Sequence, residues 1–163
     1  MEENLLHEKA KQKAFRLLAV RARSEKELRS QLKERGFDES VVGTVTARLL
    51  ELKYLDDESF ARQWARNLAV NRLLGNRRIE ASLREKGIQR ALIEQVMTEV
   101  REEFSEQEAI RTLIRKKERK STITMDYREK RRTARSLMVK GFPPDLIFDM
   151  INTPKEEFID EGE

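Results

Sequence analysis

The chain has 163 residues, 39% charged and 38% hydrophobic, with no cysteine, one histidine, six glycines and three prolines. That length suits one compact domain or a few small repeats, and the absence of cysteine excludes disulfides, a thiol nucleophile and cysteine zinc sites. No apolar run suggests a membrane span, "MEENLLHEKAKQK" lacks the order of a signal peptide, and a cytoplasmic setting is expected. The formal net charge of +4 implies a polyanionic partner only if the bases are clustered.

Few helix breakers and abundant Leu, Ala, Glu, Lys and Arg predict an all-α chain. In chain order, the first helix is expected over Glu8–Arg21. "SEKE" follows as a capping box, Ser24 as N-cap and Glu27 three residues on. It starts a helix over Glu25–Arg35 with Leu28 and Leu32 on one face, stopped at Gly36. Asp38 is placed to cap the next helix, Glu39–Lys53.

"YLDDESFAR" (Tyr54–Arg62) opens the second set of helices, expected over Glu58–Leu73, Arg77–Lys86 and Arg90–Phe104. One of Asp56 and Asp57 is expected to cap the first of these, the other to complement its N-terminal dipole. Phe60, Trp64 and Leu68 recur every fourth residue as a core stripe, with base stacking by Trp64 as the alternative. Gly75 stands where Ser24 stood, and Ile79 and Leu83 match Leu28 and Leu32. The third set is expected over Glu106–Arg119, Tyr127–Lys140 and Pro144–Ile151, the last entered through Pro143 and Pro144. Ser121–Thr124 reads as a loop or extended piece, and the acidic end "KEEFIDEGE" is expected to fray.

The three sets share a sentence. "LKERGFDESVV", "LREKGIQRALI" and "LMVKGFPPDLI" each read Leu, two variable residues, Lys or Arg, Gly, then Phe or Ile, with their glycines Gly36, Gly87 and Gly141 spaced 51 and 54 apart. A period of that size is one supersecondary unit used three times. The expected organisation is repeat 8–55, repeat 56–104, repeat 105–151 and an acidic tail 152–163. Small three-helix units bury little core alone, so an elongated, curved array of stacked repeats follows.

No catalytic group and no cofactor are expected. His7, read as solvated near a mobile end, supports no triad or HExxH arrangement; Gly75 stands alone rather than in a Walker loop; adjacent Asp56 and Asp57 point about 100° apart on a helix. No metal ligands are assigned. What stands out instead is base clustering. Arg62, Arg66, Arg72, Arg77 and Arg78 surround one helix and the turn after it, with Glu80 the only acid between Arg62 and Arg84. From Arg111 to Arg135 there are eleven bases to three acids, with Lys116, Arg132 and Arg135 as second candidates. These eight residues are the candidate contacts with nucleic acid or an acidic partner.

"RSEKELRSQLKERGF", "YLDDESFAR" and "GNRRIEASLREKGI", in that order and spacing, resemble the RecX family of recombinase regulators. The resemblance extends from about Ala14 to Ile151. The chain departs from the usual family pattern at Lys53, where glycine commonly precedes Tyr-Leu-Asp-Asp, and at "RLLG", where Lys-Gly or Tyr-Gly is common. The resemblance implies a non-enzymatic monomer of tandem three-helix repeats that binds the RecA filament on single-stranded DNA and inhibits its ATPase, strand-exchange and coprotease functions, with DNA binding in many members. A stand-alone helical DNA-binding protein is the alternative reading of the same basic residues.

Overall fold

The structure, a computed structural model, describes residues 2–118 and 125–153. The described residues form α1 (Glu2–Val20), α2 (Glu25–Lys33), α3 (Glu39–Glu51), α4 (Asp57–Arg66), α5 (Asn76–Glu85), α6 (Arg90–Glu103), α7 (Glu106–Glu118), α8 (Tyr127–Val139) and α9 (Pro144–Asn152), with one π-helical turn at Asn67–Asn71. They contain no strand, and the fold is all-α as expected. α1 starts at Glu2 rather than Glu8, so His7 lies inside a helix and is partly buried, a correction to its reading as a solvated residue near a loose end. Ser121–Thr124 and the acidic end lie outside the described residues.

The recurring sentence is a helix stop. Gly36, Gly87 and Gly141 have φ of 85°, 80° and 94°, the left-handed region that glycine enters without a Cβ clash. The N–H groups of Phe37, Ile88 and Phe142 then reach back to the carbonyls of Leu32 (3.3 Å), Leu83 (3.0 Å) and Leu137 (3.2 Å). This is the long bond of a Schellman motif. Each leucine therefore acts twice, its carbonyl closing the helix and its side chain buried in the core.

The starts are equally local. Glu27 N–H donates to Ser24 Oγ (3.2 Å) while Ser24 N–H donates to Glu27 Oε2 (3.3 Å), completing the capping box. Ser105 and Glu108 form a second, unanticipated one at α7: Ser105 N–H to Glu108 Oε2 is 2.6 Å and Glu108 N–H to Ser105 Oγ is 3.2 Å. Asp126 caps α8 by accepting from Glu129 N–H (2.8 Å). Asp56 caps α4, its Oδ1 accepting from Glu58 (3.0 Å) and Ser59 (3.1 Å). Asp38 departs from expectation: it occupies the N-cap place of α3 but its side chain makes no capping bond. The next residue, Glu39, is instead ion-paired to Arg29 and Lys33 of α2.

The helix expected over Glu58–Leu73 also differs. It is α-helical only to Arg66, then widens into the π turn, where Arg72 N–H donates to Asn67 C=O (3.1 Å). Leu73 follows at φ 52° and is buried. The extra residue in the turn and the left-handed step end the helix early and aim Leu73 inward.

The chain divides into two compact units, Met1–Trp64 with Ser82–Val96, and Ala65–Ala81 with Met97–Glu163. In the first, α1, α2 and α3 pack on one another around Ala14, Leu28, Leu32, Val42, Leu49 and Leu55. Phe15 meets Tyr54 edge-on at 5.0 Å between centroids. Trp64 stacks on Phe60 at 5.7 Å, donates from Nε1 to Ser82 Oγ (2.9 Å) and lies 5.2 Å from Lys86 Nζ. Its ring is thus engaged in packing, as the core-stripe reading expected. In the second unit, α9 packs on α7 and α8 around Leu73, Ile110, Leu137, Phe142 and Ile147.

One joining device appears in both units. In the first, the leading N–H of α2, at Glu25, donates to Asp57 Oδ1 at the start of α4 (2.7 Å). In the second, the leading N–H of α5, at Asn76, donates to Glu106 Oε1 at the start of α7 (2.8 Å). Each acid opens a later helix and satisfies an orphan donor of an earlier one. Asp57 therefore does more than complement the dipole of α4. The stop glycines take part too: a Cβ on Gly87 would lie 2.7 Å from Lys26 Cβ near the start of α2, and one on Gly141 would lie 2.6 Å from Arg78 N near the start of α5.

Candidate functional site

The five arginines of the first cluster sit on three kinds of backbone and are not chemically equivalent. Arg62 and Arg66 are one turn apart on α4. Arg62 pairs with Glu58 at 2.7 Å, and Arg66 pairs with Glu103 at 2.6 Å. Both cations are thus partly neutralised within the molecule; the Glu103 carboxylate raises the Arg66 pKa and is itself held below the usual range. No sequence rule pointed to Glu103, because it lies 37 residues from Arg66.

Arg72, Arg77 and Arg78 are exposed, and among the described residues no acidic side chain lies within ion-pair distance of any of them. Arg72 follows the π turn. Arg77 and Arg78 lie in the first turn of α5, which contains no acid, whereas the first turn of α2 carries Glu25 and Glu27. Cations at a helix N-terminus oppose the macrodipole, so this turn carries charge unfavourable to its own stability. Arg78 also serves the fold, since its Cβ and Cγ lie against Gly141. The N–H groups here are already used: Gly75 N–H donates to Lys140 C=O (2.8 Å), Asn76 N–H to Glu106, and Arg77 N–H to Gly141 C=O (3.3 Å). What the turn offers a partner is guanidinium.

Arg101 fixes this turn. Its guanidinium donates to Asn76 Oδ1 (2.6 Å), Leu74 C=O (2.9 Å) and Phe104 C=O (3.1 Å). Burial pushes its pKa down, with Glu106 acting in the opposite direction. With Leu73 buried on one side and Arg101 bonded on the other, the Arg72 segment is anchored rather than slack. The sequence reading missed Arg101, an arginine in an ordinary helical run with no local signal of its partners.

In the second cluster, Lys116 is exposed on α7 while Arg132 and Arg135 are exposed and three residues apart on α8. Lys117 Nζ donates to Thr133 Oγ1 (3.0 Å), tying α7 to α8. Arg131 lies 5.9 Å from the exposed ring of Tyr127. Among the described residues, no group of three His, Cys, Asp or Glu side chains is placed to hold a metal, and no helix is long and apolar enough to cross a membrane.

Comparison with known proteins places these features. Three family models match in succession: the first three-helix domain of RecX at residues 10–49, the second at 56–97 and the third at 105–151. The "Regulatory protein RecX" of Mycolicibacterium smegmatis is 32% identical over 148 residues, covering 89% of this chain and 79% of the relative. That of Amycolatopsis mediterranei is 34% identical over 152 residues, covering 93% and 86%. The crystal structure of RecX from Lactobacillus salivarius superposes with a TM-score of 0.75 at 22% identity, over 90% of this chain and 94% of that one. A second crystal structure, of a regulatory protein RecX, gives a TM-score of 0.76 at 25% identity over 92% of this chain and 73% of that one. Three successive domain matches and relatives above 30% identity along most of both chains lead to one conclusion: this chain belongs to the RecX family of regulatory proteins.

Proposed function

We propose that this protein regulates a RecA recombinase by binding the RecA filament on single-stranded DNA and lowering its ATPase, strand-exchange and coprotease activities. The observation that carries the reading is the anchored turn bearing Arg72 and Arg77 in a chain of the RecX family. Exposed guanidiniums without an intramolecular acid are available to phosphate or carboxylate, and an anchored segment loses little entropy on binding. Regulation here requires no turnover chemistry, only differential affinity for the filament. Arg62 and Arg66 contribute after exchanging their internal acids for partner groups, and Lys116, Arg132 and Arg135 extend the basic surface.

Co-sedimentation with preformed RecA–single-stranded DNA filaments tests the binding step. The protein is expected to pellet with filaments formed by RecA of the same organism. Failure to pellet, with filaments verified intact, would overturn the reading. The second reading, direct DNA binding, rests on the exposed bases of α8. It predicts tight, strongly salt-dependent binding to DNA without RecA; weak DNA affinity beside strong filament affinity decides against it.

A further inference from the structure

We propose that the first compact unit carries a binding site for a single phosphate group, in a cleft between the connection from α1 to α2 and the end of α5. The cleft has a volume of about 190 Å³. Small-molecule sites run from roughly 300 Å³ upward, so this one suits one oxyanion and not a whole nucleotide. Its walls include Arg21, Arg23, Lys26 and Lys86 against Glu27 and Glu85, an excess of two positive charges.

The charges are unevenly committed. Glu27 accepts from both terminal nitrogens of Arg21 (3.0 and 3.2 Å), pairs with Lys86 and closes the capping box. Arg23 and Lys26 have no acid within ion-pair distance among the described residues. Arg23 lines the cleft and is oriented by one bond, Nε to Leu17 C=O at 3.3 Å, which engages neither terminal nitrogen. Arg35 is held beside Gln31, donating to its C=O (2.8 Å) and Oε1 (2.9 Å), and adds to the positive field. Burial lowers the Arg23 pKa, repulsion from Arg21 and Arg35 lowers it further, and Glu27 opposes them. A positioned guanidinium beside an uncommitted ammonium is the donor pair that phosphate takes, the fork for geometry and the point charge for strength. The two-charge excess favours phosphate over a singly charged carboxylate.

The phosphate could be free or terminal on a nucleic acid, and one experiment separates these. Calorimetric titration of the full chain with inorganic phosphate should show saturable binding, weakened at least tenfold in Arg23→Gln and in Lys26→Gln and unchanged in Arg48→Gln, an exposed arginine of α3 outside the cleft. Lys26→Gln keeps the carbon stem that packs near Gly87, so it reports on the site even if Arg23→Gln perturbs the fold. Equal affinity in Lys26→Gln, no saturable binding, or equal binding of acetate at matched ionic strength would overturn the proposal. Given phosphate binding, tighter binding of a 5′-phosphorylated oligonucleotide than of its unphosphorylated form identifies the nucleic-acid end as the source. Equal binding of the two identifies free phosphate.

Discussion

Lys53 holds φ of 60°, a left-handed conformation that costs an L-residue roughly 1–2 kcal/mol. This left-handed backbone favours glycine, the residue expected here from the family resemblance. Lys53→Gly should stabilise the protein by about 0.5–1 kcal/mol after the entropy that glycine adds to the unfolded chain, as read from urea denaturation. Unchanged or lower stability would mean the lysine stem contributes more than the strain costs. Glu27 offers a second residue-scale test. Burial opposes its ionisation, but Arg21, Lys86 and Ser24 N–H outweigh it and hold the carboxyl at about 2, against an ordinary 4.5. A folded-state pKa below the unfolded one gives stability that is fully present above about pH 4.5 and lost as pH falls towards 2. Glu27→Gln should therefore lower stability at pH 7 and flatten its pH dependence within that window. Asp57 has the opposite sign: burial pushes its carboxyl up, so its contribution to stability grows as pH falls through its folded-state value. Its Oδ1 can still accept from Glu25 N–H when protonated.

At the scale of helices and turns, the chain's glycines separate into different physical roles. A Cβ on Gly75 would fall inside contact distance of the Gly141 carbonyl and Phe142 N, all backbone, with no side chain able to move aside. Gly75→Ala should cost about 2–4 kcal/mol. Gly43 lies within α3 with nothing within 4 Å of a built Cβ; Gly43→Ala should stabilise by about 0.5–1 kcal/mol. Thermal or urea unfolding of the two variants checks both signs together. The same contrast shows what was legible in the sequence. The Gly36, Gly87 and Gly141 stops and the Ser24 box could be read because each is closed within about six residues. The spacing matched Gly75 to Ser24, but not its approach to Gly141, which joins residues 66 apart. The bonds from Glu25 to Asp57 and from Asn76 to Glu106 escaped for the same reason. The π turn escaped because Asn67–Asn71 carries no breaker, and its register is set by burying Leu68, Ala69 and Leu73.

At the scale of the whole molecule, three small helical domains of a family of regulatory proteins follow one another along the chain. The candidate contacts were legible as a cluster of bases, but their inequality was not. Glu103 compensates Arg66 through the fold, and Glu58 compensates Arg62 along one helix turn. Arg78 is partly structural, which leaves Arg72 and Arg77 as the cleanest probes of contact. The most direct test is the single-stranded-DNA-dependent ATPase of RecA from the same organism, titrated with the wild-type protein and with the Arg72→Glu/Arg77→Glu variant. Wild type should inhibit at stoichiometric or lower amounts, while the variant, with unchanged helicity, should lose inhibition by at least tenfold in the concentration required. Full inhibition by the variant would remove the α4–α5 turn from the contact surface, and no inhibition by the wild type would contradict the proposed regulation of RecA.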